Sequence, residues 1–132
     1  MRRSSLATAL LLLVQADASQ ASAYFTVVGP CTTDGACVRS PNYPSNYWSS
    51  QSCTITPTSL AVGQLLSVTS FDTEANWDQL TLNGVAYSGT IGPSGVSLTS
   101  DDLWWYLDNQ FGGTGWEVCA HVSPPTSFLK HF

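Results

Sequence analysis

The sequence predicts an all-β fold, an antiparallel two-sheet β-sandwich that follows a cleaved signal peptide. Three observations point there. Apolar residues recur at every second position in short runs, Gly, Pro, Asn and Ser cluster between the runs, and no stretch after residue 23 carries a helical repeat. The runs that read as strands are YFTVV, ACVRS, CTIT, QLLSVTSF, DQLTL, VAYSG, GVSLT, LWWYL and GWEVCAHV. Their lengths and spacing suit two sheets packed face to face. Asn83-Gly84, between Leu82 and Val85, is the best hairpin signal, because a type I′ turn requires positive φ at both positions and both residues tolerate it.

Taken in order, the chain opens on MRRSS, a basic segment, followed by the apolar run Leu6 to Val14 and by small residues at Ala21 and Ala23. The run is too short to cross a bilayer, so residues 1–23 read as a secretory signal peptide. Residues 24–122 then form one compact domain. Residues 123–132, with Pro124-Pro125 and no alternation, read as a C-terminal tail. No later stretch is apolar enough for a membrane span. The chain holds four Lys and Arg against nine Asp and Glu, and beyond residue 23 only Arg39 and Lys130 remain as cations. So acidic a domain is a poor partner for nucleic acid or anionic lipid, and cationic groups or metal ions are its natural counterparts.

Cys31, Cys37, Cys53 and Cys119 all follow the leader, and an even count in a secreted chain favours two disulfides over zinc. Of three connectivities, Cys31–Cys37 with Cys53–Cys119 is favoured here, because CTTDGAC reads as a hairpin tip whose short loop closes at little entropic cost. The acidic residues are concentrated. Asp72, Glu74 and Asp78 fall within the single stretch FDTEANWDQL, which does not satisfy the EF-hand pattern. On spacing alone they are either a solvated loop or part of a cation site.

SPNYPSNYWSSQSCTI, residues 40–55, resembles the opening of a CUB domain, an extracellular β-sandwich module of complement proteases, spermadhesins and procollagen-processing proteins. LSVTSFDTE, WDQLTL and WYLDNQFGGTGWEV resemble three later family segments in the same order, so that the likeness covers about residues 31–122. It implies a CUB-like jelly roll, in which Glu74, Asp78 and Asp108 hold one calcium ion with a carbonyl of Asn109. It also implies that Glu74 and Asp78 then receive a Lys or Arg of an extracellular protein partner; by their nearness in sequence Trp77 would add apolar contact, and Asp72 is either part of that surface or a strand-end residue facing water. The sequence departs from the family in having no cysteine between Cys53 and Cys119, a short gap from Glu74 to Asp78, and Leu107 where Ser is common. The family's disulfide pattern therefore does not transfer.

A second candidate surface is aromatic. Strict alternation points Trp105 to the face shared by Leu103 and Leu107, and turns Trp104 and Tyr106 to the other. If that other face is solvent, the pair forms a platform for a glycan or a protein contact, as in a carbohydrate-binding module. The resemblance implies that Phe71 and Trp116 lie in the core. Catalysis is not expected: His121 and His131 lie at the end of the chain, no nucleophile elbow or HExxH occurs, and Glu74 with Asp78 is the sole approach to a glycosidase pair. The expected function is non-catalytic, calcium-dependent binding of a basic residue. Glycan binding, or a structural role within a larger mosaic protein, is the alternative.

Overall fold

A computed structural model describes residues 20–48, 51–108 and 112–121. Within them the chain is all-β and forms two antiparallel sheets. The strands are β1 (Gln20–Ala21), β2 (Phe25–Val28), β3 (Thr32–Asp34), β4 (Cys37–Arg39), β5 (Cys53–Pro57), β6 (Leu65–Asp72), β7 (Gln79–Leu82), β8 (Val85–Tyr87), β9 (Leu103–Tyr106) and β10 (Gly115–His121). One sheet has the order β1-β2-β5-β9-β7-β8, and the other β3-β4-β10-β6.

Alternation decides what lies between them. Phe25, Val27, Ile55, Leu80, Leu82, Leu103 and Trp105 turn inward from the larger sheet, and Val38, Leu66, Phe71, Trp116, Val118 and Ala120 meet them from the smaller one. Trp105 is the hub: it packs edge-on against Trp116 at 5.6 Å and against Tyr47 at 5.1 Å. Phe71 and Trp116 are thus core residues, as expected. Asn83 and Gly84 have φ of 51° and 77°, and close β7 onto β8 with Leu82 opposite Val85.

Three expectations need correction. The disulfides join Cys31 to Cys53 and Cys37 to Cys119, not Cys31 to Cys37 and Cys53 to Cys119. CTTDGAC does form a hairpin, but its register sets Asp34 opposite Cys37 and Thr32 opposite Arg39, which leaves Cys31 beyond the paired stretch. Cys37 instead stands opposite Cys119 of β10, while Cys31, on the crossing from one sheet to the other, donates its N–H to Cys53 Sγ at 3.0 Å. Second, GVSLT is not a strand. Gly95 has φ of 80°, and the segment runs beside the start of β6 as an isolated bridge, Ser97 to Leu65, flanked by backbone hydrogen bonds from Gly95 N–H to Leu66 O and from Leu66 N–H to Val96 O, with Leu98 buried. Third, β3 was not among the expected strands: TTD is polar and carries no apolar alternation to reveal it.

Residues 1–19 of the expected signal peptide and the whole expected tail, 123–132, lie outside the described residues. Ala21 pairs with Thr26 of β2, so that cleavage after Ala23 would leave β2 as the sheet edge. Two disulfides fit an oxidising, extracellular compartment. No helix of the described residues is long and apolar enough to cross a membrane.

Candidate metal centre

β6 ends at Asp72 and β7 begins at Gln79, and the six residues between them fold back tightly. The N–H groups of Trp77 and Asp78 donate to the Glu74 carbonyl at 3.2 and 3.0 Å, with Asn76 at φ of 72°. Buried Thr73 fixes this loop from below. Its hydroxyl donates to the Asp78 carbonyl at 3.0 Å and accepts from Gly89 N–H at 2.9 Å, while its own N–H donates to Gly89 O at 2.8 Å. The loop is therefore tied to the segment after β8 through hydrogen bonds at both ends of one residue.

Asp78 is completely buried. A buried carboxylate is tolerated only when its oxygens are satisfied. Tyr47 donates its hydroxyl to Oδ2 at 2.5 Å, and the Asp108 N–H donates to Oδ1 at 3.1 Å. The Tyr47 hydroxyl also accepts from Glu74 N–H at 3.2 Å. One phenol thus holds both acidic residues of the loop, and its ring is held in turn by Trp105. Burial, then the bond to Asp78, pushes the Tyr47 hydroxyl far above the ordinary tyrosine range, so it stays a donor.

The result is a cluster. Carboxylate oxygens of Glu74, Asp78 and Asp108 lie within 4.8 Å of one another. Glu74 Oε1 is closed off from solvent without a hydrogen-bond donor. Burial, then repulsion from Asp108 and Asp78, raises the Glu74 carboxyl above its usual value. An all-oxygen set of this kind is the donor chemistry of hard cations such as calcium. A second grouping, Cys37, Glu117 and Cys119, has no such capacity: its sulfurs are bonded to each other, and Glu117 is paired with Arg39 at 2.5 Å.

The other expected residues are dispersed. Asn109 lies outside the described residues. Asp72 turns away from the trio, its Oδ2 accepting from the Thr114 N–H at 3.2 Å and hydroxyl at 3.1 Å. Trp77, beside Asp78, is exposed. Trp104 and Tyr106 stand exposed on the outer face of the larger sheet, as alternation requires, with Trp105 buried between them. Tyr47 and Thr73 were not anticipated as parts of the site. Nothing local marks them, since Tyr47 is 31 residues from the carboxylate it serves.

Compared with models of known protein families, with curated proteins and with solved structures, the chain gives no match.

Proposed function

We propose that the protein is a secreted, non-catalytic binding module of CUB type. In this reading Glu74, Asp78 and Asp108 hold one calcium ion, and the acidic edge of the loop receives a Lys or Arg of an extracellular protein at Glu74; Asp78, which was expected to share that contact, is completely buried and can serve the ion but not the partner. The observation that supports it best is the convergence of three carboxylates from two loops around a fully buried Asp78. Converging carboxylates repel one another and raise each other's proton affinity unless a cation is present. Calcium takes about six to eight oxygens, so backbone carbonyls and waters complete the shell. The bound ion neutralises part of the cluster and locks its side chains, which leaves an ordered anionic edge for one cationic group.

A single exposed ion pair is worth about 1 kcal/mol or less. Useful affinity therefore needs apolar contact as well, and in this reading Trp77, which is exposed, covers the aliphatic stem of a lysine. Calorimetric and thermal-shift titration with calcium tests the first step. The wild-type protein is expected to bind one ion and to melt at a higher temperature when saturated. Asp108→Ala is expected to lose both effects. Identical responses of the two proteins to calcium and to chelator would dispose of the site.

A further inference from the structure

We propose that the outer face of the six-stranded sheet carries a saccharide subsite centred on Trp104, which takes a neutral, gluco-configured pyranose. The inference is independent of the calcium reading. Trp104 lies on β9, a central strand, yet is 54% exposed. Its cross-strand neighbours on the same face are Thr54 of β5 and Thr81 of β7, two side chains much shorter than the indole. Tyr106, two residues further and also exposed, extends the platform along the strand.

Beside the indole is an open cleft of about 400 Å³, lined by Trp104, Thr81, Asn83, Asp101 and Asp102 among others. That volume lies within the range of small-molecule sites, roughly 300–1,000 Å³. Its rim is fixed before any ligand arrives. Asp102 Oδ1 accepts from the Thr56 hydroxyl at 2.7 Å. The Thr99 hydroxyl accepts from Asp101 N–H and donates to Asn83 Oδ1, both at 3.1 Å. An ordered rim reduces the entropy lost on binding.

The chemistry of the lining selects the ligand. A pyranose with equatorial hydroxyls presents axial C–H groups on its ring faces and hydroxyls around its edge. An exposed indole meets the first, and carboxylates with a threonine hydroxyl meet the second. The carboxylates of Asp101 and Asp102 repel sulfated, sialylated and uronic sugars. Arg39, the one Lys or Arg among the described residues, is on β4 in the other sheet and paired with Glu117 and Asp34. A basic side chain would satisfy the carboxylates, but it brings donors alone to a rim that also offers a hydroxyl donor, and it fills little of the cleft.

The test titrates the secreted protein with cellotriose and N,N′,N″-triacetylchitotriose, with a heparin hexasaccharide and tri-arginine as contrasts. Binding is followed by saturation-transfer NMR and indole fluorescence, in calcium and in chelator. A neutral trisaccharide is expected to bind equally in both conditions. Trp104→Ala is expected to weaken it at least about tenfold, the behaviour of a central aromatic anchor, and Trp104→Tyr to retain most of the affinity. Because Trp104 is exposed, both variants should keep the wild-type melting temperature, which separates lost binding from lost folding. The proposal is overturned if neither neutral sugar binds at millimolar concentration, if binding survives Trp104→Ala unchanged, or if tri-arginine is the ligand that depends on Trp104.

Discussion

Glu74 and Asp78 belong to the same turn but meet different fates. Asp78 is sealed in the core with a donor on each oxygen, and Glu74 has one oxygen shut away from water and none. The residue that separates them is Tyr47, whose hydroxyl donates a hydrogen bond to Asp78 and accepts one from the Glu74 N–H. Glu74 is therefore the unrelieved charge of the trio, and its carboxyl sits above its ordinary value through burial and the proximity of Asp108 and Asp78. A carboxyl raised in the folded state favours the fold below its unfolded pKa, and that contribution is lost as pH rises through the folded value. In chelator at pH 7, Glu74→Gln should thus melt above the wild type, and the difference should close as pH falls below about 4.3, where wild-type Glu74 is itself protonated. In saturating calcium at pH 7 the order should reverse, since only wild type keeps the full ligand set. Melting curves of the two proteins across pH, with and without calcium, check both halves. A wild type more stable than the variant in chelator at pH 7 would contradict the charge conflict.

At the scale of elements, β10 shows how backbone and side chain specify each other. Gly115 opens the strand at φ of 90°, and a Cβ there would collide with Ser40 Oγ, the buried hydroxyl that accepts from Trp116 N–H at 2.9 Å. Gly115→Ala should therefore destabilise the fold by more than about 1 kcal/mol, combining an unfavourable φ with a lost acceptor for a core tryptophan. Urea denaturation checks this, and a neutral result would mean that Ser40 moves aside freely. Much of this level is legible in the sequence. Period-two alternation finds β2, β5, β6, β7, β9 and β10, and Asn83-Gly84 finds the turn into β8, because each signal is local. What escapes is whatever long-range register decides. Cys37 faces Cys119 only because β4 lies beside β10, and GVSLT, despite a suitable side-chain pattern, opens in a turn at Gly95 and meets β6 only at an isolated bridge. The carboxylates of the candidate centre are legible through their positions in the resembling motifs. Tyr47 and Thr73, which aim them, are legible only once the loops are in place.

On the scale of the whole molecule, the antiparallel pair β7 and β9 separates two surfaces. Asp78 precedes β7 and Asp108 follows β9 at one end; Asn83 follows β7 and Asp102 precedes β9 at the other. The acidic trio and the Trp104 cleft therefore share a sheet but not a neighbourhood. β9 ends at Tyr106, two residues before Asp108, and the four-residue step from Trp104 to Asp108 would span roughly 13 Å in extended chain. Sites more than about 7–10 Å apart without shared partners act additively. Between Trp104 and Asp108 along the chain stand Trp105 and Leu107, turned to the core, and Tyr106, turned to water. Asp108→Ala should then abolish the calcium response while leaving the affinity for a neutral trisaccharide within about twofold, and Trp104→Ala should do the converse. The double variant should show both losses at their single-variant size. Calorimetry of all four proteins against calcium and against cellotriose measures this directly. If calcium changes the trisaccharide affinity severalfold in the wild type, and Asp108→Ala removes that change, the sheet transmits between its ends and the two surfaces form one composite site.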